Sequence, residues 1–234
     1  MKIDLIEATP HPLAHIGKMA GICWGANTDD DAKNVERAKE CIKSGHGRVL
    51  EFVSVTIALS EASARVMREI YTHLGGAPTR LQSSTRYVSE KRGFGYYIPP
   101  SVDDNIGNKN VYTGAMASVQ AAYNQLVDDG VPVEDAANLL PLGMMSKMVW
   151  KINLRALINF MNMRLCSRAY IEMQAFARFL KKTLMAVDDE WKWISDSMFV
   201  PKCEQFKYLN PGLAFCTEKF CCGRHKKVDT VEIV

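Results

Sequence analysis

The sequence predicts an α+β fold in which long helices flank a small, mostly antiparallel sheet. Three observations predict it. Amphipathic stretches with recognisable caps fill most of the chain, short alternating stretches lie scattered among them, and no internal repeat or low-complexity run breaks the pattern. The 234 residues suit one large domain, or one domain with appendages. With 47% apolar and 24% charged residues, such a chain can bury a sizeable core without covalent staples.

"NTDDDAKNVERAKECIKSGHG" predicts a helix: aspartates favour its start, lysine and serine its end, and Gly45 can turn the chain out of it. "VLEFVSVTIALS" then alternates. Phe52, Ser54, Thr56 and Ala58 share one face and Val53, Val55, Ile57 and Leu59 the other, as in a half-buried strand. "SEASARVMREIYTH" predicts a helix with Ser60 as N-cap and Glu61 in its first turn, stopped by Gly75, Gly76 and Pro78. "STRYV" and "FGYYIPP" predict two short strands. "NVYTGAMASVQAAYNQLVDDG" predicts a long amphipathic helix ending at Gly130, and "VPVEDAANLL" another with Pro132 in its first turn. "SKMVWKIN" is strand-like, and "LRALINFMNMRLCSRAYIEMQAFARFLKKTL" is helical, in two pieces that part near Cys166–Ser167. "DDEWKWISDS" places Trp191 and Trp193 near a helix start; with Trp24 and Trp150 they are expected in the core or a subunit interface.

The charge balance, 29 basic against 26 acidic residues, is too mild to argue for a nucleic acid polymer, so any anion argument rests on where arginines stand. "MKIDLIEATPHPLAHIG" carries Asp4 and Glu7 inside its apolar run and makes a poor signal peptide. No apolar run approaches the roughly 20 residues needed to span a bilayer. The expected location is cytoplasmic, away from membranes.

Two constellations carry chemistry. In "YTHLGGAPTRLQSSTRY", Gly75 and Gly76 allow close backbone approach and Pro78 stiffens the exit. Arg80, Ser84 and Arg86 can donate to phosphate oxygens, with Thr79, Gln82, Ser83 and Thr85 adding hydrogen-bonding capacity. In an extended strand Ser84 and Arg86 would share a face and form a phosphate clasp. The competing reading is a polar hairpin edge whose arginines pair with surface carboxylates. In "KINLRALINFMNMRLCSRAYIEMQ", Arg155 and Asn159 share a helix face and Asn153 is placed to cap it. Arg164 stands among Phe160, Met161, Met163 and Leu165, where it needs a partner, either a carboxylate or a ligand anion.

Taken in order, these stretches resemble the flavin-dependent thymidylate synthases, the ThyX family. The resemblance rests on "GHGRVLEF" at Gly45–Phe52, "STRY" at Ser84–Tyr87, "YYIPPSV", "LLPLG" at Leu139–Gly143, "KINLRALINFMNMR" at Lys151–Arg164 and "RAYIEMQ" at Arg168–Gln174. It covers roughly Met1 to Leu184 and implies a catalytic domain over 1–200 followed by a Cys-rich tail over 201–234. It implies reductive methylation of dUMP, with FAD as cofactor and methylenetetrahydrofolate and NADPH as co-substrates. It also implies a homotetramer with sites at subunit interfaces. By position, Ser84, Arg86, Gln82 and Glu69 would bind the nucleotide, and Arg164 would face the pyrimidine and act in catalysis. His73, Arg80, Asn153, Arg155 and Asn159 would bind FAD. The chain departs from the family pattern at several points. Thr72-His73-Leu74 replaces an arginine-histidine-arginine run, Gly75 and Gly76 lengthen the loop, Gln82 replaces a glutamate, and Asn138 stands for the arginine of an Ala-Arg-x-x-Leu-Pro stretch. Arg80 and Arg68 are the cations available to compensate. A relative that modifies another pyrimidine nucleotide, or a nucleotide-binding protein without catalysis, is the alternative.

The cysteines number seven; Cys23, Cys41 and Cys166 are expected as reduced thiols in or near the core. "CEQFKYLNPGLAFCTEKFCCGRHKK" holds Cys203, Cys216, Cys221, Cys222 and His225. Its spacings lack a pair of Cys-x-x-Cys knuckles, so a thiol-rich tail packed on the core or a redox-sensitive pair is expected ahead of zinc, and no metal ligand is assigned. His11, His15 and His46 are expected in turns or caps.

Overall fold

A computed structural model describes residues 1–228; residues 229–234 of the expected tail lie outside the described residues. The chain begins with β1 (Lys2–Ala8), α1 (Pro12–Cys23), α2 (Asp31–Lys43), β2 (Ser54–Ser63), α3 (Ala64–Tyr71) and β3 (Thr79–Gln82). It continues through α4 (Pro100–Asp103), α5 (Ile106–Asp128), α6 (Val133–Ala136), β4 (Met145–Asn153), α7 (Leu154–Arg164), α8 (Ile171–Met185) and α9 (Asp189–Met198). The four strands form one sheet in the order β1-β2-β4-β3. Its pairing is antiparallel: Thr9 N–H bonds Ser54 O, Leu154 N–H bonds Val53 O while Ala64 N–H bonds Met144 O, and Ser83 N–H bonds Lys147 O. The α+β class expected from the sequence is the class observed.

Contacts divide the chain into two compact units, residues 1–4, 58–72 and 80–150 in one, residues 5–57, 73–79 and 151–228 of the described chain in the other. In the first unit, Phe94, Met116 and Met144 form a small core with Tyr96, Tyr112, Val119 and Leu140 packed on it. Tyr112 Oη donates to Tyr97 O at 2.9 Å, and a Cβ at Gly143 would stand 2.5 Å from that oxygen, so the LPLG turn closes tightly on α5. In the second unit, Leu13, Ile16, Val55, Ile57, Leu157, Phe160, Phe176, Trp191 and Phe199 are fully buried. A Cβ at Gly17 would stand 1.7 Å from Asn34 O, which is how closely α1 and α2 pack. The Glu190 carboxylate accepts from the Leu13 and Ala14 amides at 2.6 and 3.0 Å, placing a negative charge at the N-terminus of α1. Asp188 caps α9 by accepting from Trp191 N–H at 2.7 Å, and Trp191 Nε1 donates to Thr9 O at 2.9 Å.

Several elements differ from the sequence reading. Residues 1–25 carry β1 and α1, to which no element was expected. Strand pairing with β4 continues past Ser60, so β2 runs on to Ser63, whose side chain caps α3 by accepting from Val66 N–H at 3.2 Å. "STRYV" is a turn: Ser84 Oγ accepts from Arg86 N–H at 3.2 Å and Ser84 O from Tyr87 and Val88 N–H, which folds the segment back on itself. β3 precedes it instead. "FGYYIPP" makes only an isolated bridge, Tyr96 to Met144. "VPVEDAANLL" gives a single turn of helix, then a 3-10 turn over Ala137–Leu139.

The Gly-Gly loop rests on the start of α7. Asn153 ends β4 and caps α7, accepting from Ala156 N–H at 2.9 Å, while its Nδ2 donates to Gly76 O at 3.3 Å. Gly76 is left-handed, φ +74°, and a Cβ there would stand 2.5 Å from Asn153 Nδ2; a Cβ at Gly75 meets nothing within 4 Å. Gly76→Ala is therefore expected to cost about 1–2 kcal/mol in urea unfolding, with Gly75→Ala near neutral. Asp188→Ala, which removes the α9 cap, is expected to cost about 1 kcal/mol in the same measurement.

Candidate functional site

The abrupt passage from β4 into α7 sets one group of functional side chains. Arg155 and Asn159 lie one turn apart on an exposed face of α7. Phe160 and Arg164 form a second row, with Phe160 fully buried. Arg164, half-buried at the last residue of the helix, donates from Nε to His73 Nε2 at 3.1 Å. With Nε2 as acceptor, Nδ1 is the ring nitrogen able to carry the imidazole proton. The His73 ring meets Phe160 edge-on at 4.8 Å, and Phe160 meets Phe176 edge-on at 5.8 Å. An aromatic stack thus holds the imidazole, and the imidazole holds the plane of the guanidinium.

Beside this row is a cavity of about 300 Å³ lined by Glu51, Gly75, Gly76, Asn153, Arg155 and Asn159. Its walls are glycine backbone, two amides, the Arg155 guanidinium and the Glu51 carboxylate, with the Ala156 methyl. Arg155 Nη1 pairs with Glu51 Oε1 at 2.7 Å across an exposed surface. Three of the residues expected to bind a cofactor, Asn153, Arg155 and Asn159, therefore share one cavity, and His73 belongs to the same compact unit.

Of the residues expected to bind a nucleotide, Glu69, Gln82, Ser84 and Arg86 belong to the first unit and Arg164 to the second; Arg80, expected to bind the cofactor, also belongs to the first. Arg86 Nε pairs with Glu134 at 2.7 Å, both side chains largely exposed. Ser84 is in the turn already described, and Gln82 ends β3. Arg80 lies over the Tyr71 ring at 4.9 Å and donates to Tyr71 O at 3.2 Å. Glu69 is half-buried on α3. Asn138 spends its amide on the turn after α6, donating to Glu134 O and Asp135 O at 3.4 and 3.0 Å.

Sequence reasoning missed Glu51 and Glu134, the carboxylates that hold Arg155 and Arg86. Neither carries a local signal, since each lies tens of residues from its partner. It also missed that the tail reaches Arg164. A cavity of about 200 Å³ is lined by Arg164, Cys166, Cys203, Cys216, Cys221 and His225, among others. There, burial and then the neighbouring Glu204 carboxylate push the Cys203 thiol up to about 11. Burial also works against the Glu204 carboxylate, yet its hydrogen bond with His225 and its pairing with Lys207 and Arg224 hold its pKa below the ordinary value.

Comparison with known proteins agrees with the order of these motifs. Residues 4–188 match the family profile described as thymidylate synthase complementing protein, Thy1. The flavin-dependent thymidylate synthase of Geobacter sulfurreducens is 33% identical over 185 residues, 76% of this chain and 79% of that protein. The enzyme of the same name from Nitratidesulfovibrio vulgaris is 29% identical over 244 aligned positions, 96% of this chain and 95% of its own. Among solved structures, the UMP/dUMP methylase PolB from Streptomyces cacaoi, bound with 5-Br dUMP, superposes with a TM-score of 0.70 at 18% identity, covering 85% of this chain and 96% of its own. Among the described residues, no helix is long and apolar enough to cross a membrane. The profile match over residues 4–188 and the 33% identity to a relative over most of both lengths mean that the chain belongs to the Thy1/ThyX family of flavin-dependent thymidylate synthases.

Proposed function

We propose that the chain reductively methylates dUMP to dTMP with FAD, methylenetetrahydrofolate and NADPH. The observation that carries this reading is the His73–Arg164 pair, in a chain whose relatives are flavin-dependent thymidylate synthases. A guanidinium fixed through its Nε by an imidazole packed edge-on against Phe160 is preorganised, so it can stabilise developing negative charge without reorganising.

The residues present fit a flavin nucleotide. The cavity at the start of α7 offers amide and guanidinium donors, and beside them the Gly75 backbone is open, with nothing within 4 Å of where a Cβ would stand. His73, Arg80, Asn153, Arg155 and Asn159 would hold FAD, which when bound supplies the carrier for the one-carbon unit and the reducing power. The rest falls to the chain itself. Ser84 and Arg86 would bind the nucleotide phosphate, with Gln82 and Glu69 beside the nucleotide. Arg86 is held by Glu134 through an exposed ion pair of the kind worth at most about 1 kcal/mol, so exchanging that carboxylate for a phosphate dianion costs little. Arg164 would face the pyrimidine carbonyl and stabilise the enolate-like charge that develops as C5 becomes nucleophilic. The assembly is proposed as a cytoplasmic homotetramer in which neighbouring copies complete each site.

A second reading changes the pyrimidine nucleotide and keeps the chemistry. What favours it is the segment Glu134–Asn138, which offers no arginine before Leu139-Leu140-Pro141, and an Asn138 amide committed to its own turn. Incubation with FAD, NADPH, methylenetetrahydrofolate and each pyrimidine nucleotide, followed by mass analysis, is expected to give a product 14 mass units (about one CH₂) heavier than dUMP. The same gain on UMP alone would establish the second reading, and no flavin uptake and no product from any nucleotide would remove both. Arg164→Ala is expected to fold normally and to lose about 3–4 kcal/mol of barrier lowering, roughly 10²–10³ in turnover. Near-normal turnover in that variant would take Arg164 out of the mechanism.

A further inference from the structure

The C-terminal segment has little to hold it by burial. Among the described residues of 201–228, Cys216 is the only one that is fully buried, yet the segment follows a defined path. Phe215 N–H donates to Cys203 O at 3.0 Å, Cys216 N–H to Lys226 O at 2.8 Å, and Val228 N–H to Cys216 O at 2.9 Å. Those bonds gather soft ligands. Cys221 Sγ donates to His225 O at 3.4 Å. Ligand atoms of Cys203, Glu204 and His225 all lie within 4.8 Å of one another. Cys203, Cys216, Cys221 and His225 all line the same cavity beside α7.

We propose that Cys203, Cys216, Cys221 and His225 form a structural zinc site of the Cys3His type. The surroundings are those a zinc-thiolate centre uses. Gly223 N–H donates to Cys221 Sγ at 3.4 Å, from two residues along the chain, where an amide stabilises a thiolate. Gly223 has a φ of +83°, which turns the chain tightly after Cys221. Glu204 holds one ring nitrogen of His225 at 3.0 Å, the arrangement by which an outer carboxylate orients a metal-binding imidazole, and this assigns Nδ1 to the metal. At a Zn–S distance of about 2.3 Å, sulfurs on one tetrahedral ion lie about 3.8 Å apart, so metal binding draws Cys216 and Cys221 in toward the Cys203–Glu204–His225 group. The spacing Cys-x12-Cys-x4-Cys-x3-His lacks paired knuckles, and the Cys203–Phe215 and Cys216–Lys226 backbone bonds fold the segment back so that all four line one cavity. The metal then supplies the folding energy that an absent apolar core cannot.

The test uses the full chain and does not read turnover, so its outcome is independent of the proposed activity. Metal analysis of protein purified without chelator is expected to give one zinc per chain. Cobalt(II) added to the metal-stripped chain is expected to produce the intense thiolate-to-cobalt absorption of a tetrahedral three-sulfur site. Cys216→Ser and His225→Ala are expected to weaken zinc binding at least tenfold, roughly the effect of losing even an outer-shell partner. His225→Cys is expected to keep the metal, and Cys23→Ser, at an exposed thiol on α1, to change nothing. The wild-type cobalt spectrum decides the question even if a variant fails to fold. A chain without stoichiometric zinc and without a cobalt–thiolate band overturns the proposal. So does a Cys216–Cys221 disulfide in the metal-treated protein, or iron and sulfide in place of zinc.

Discussion

The arrangement of side chains around α7 depends on a junction without a loop. Asn153 is at once the last residue of β4 and the cap of α7, and the Leu154 amide still pairs with Val53 O across the sheet. A strand that becomes a helix within one residue has no slack, so sheet register sets helix phase. Arg155 and Asn159 are carried to one face, Phe160 into the core and Arg164 to the far end. The same asparagine receives the Gly76 loop, so a single side chain ties together strand, helix and loop.

Electrostatics in the molecule follow one pattern. Arg155, Arg86 and Arg168 each meet a carboxylate, Glu51, Glu134 and Glu218, at a solvent-exposed position. Such pairs contribute little to stability, because water screens them and long side chains lose freedom in forming them. Their effect is to keep cationic groups extended and oriented while leaving them easy to exchange. Arg164 is handled differently: half-buried, it is held through Nε by an imidazole that is itself fixed edge-on to Phe160. The contrast separates guanidinium groups suited to exchanging counter-ions from one suited to holding a fixed direction.

Much of this was legible in the sequence wherever the signal is local. The buried face Val53, Val55, Ile57 and Leu59 is the one that alternation predicts, Gly45 has the positive φ expected after α2, and the helical run from Leu154 parts between Arg164 and Ile171 near the expected Cys166–Ser167. What was not legible is non-local. Ser60 has the chemistry of a cap, but pairing with Met144 and Leu142 carries the strand on until Ser63 takes that role. "STRYV" reads as a strand until Ser84 bonds the Arg86 amide. β1 gains its identity from pairing with β2, and α1 gains its cap from Glu190, over 170 residues away. In the candidate site, hydrogen-bonding residue types announced themselves, whereas the carboxylates that restrain them did not.

The family profile matches as far as residue 188, but the wall beside Arg164 continues beyond it. Cys203, Cys216, Cys221 and His225, all beyond that limit, close the side of the cavity opposite α7. A shortened protein ending at residue 188 would keep every motif residue and still present the Arg164 guanidinium to bulk water, where a charge acts through a dielectric several times higher. The segment after residue 188 thus belongs to the microenvironment of Arg164.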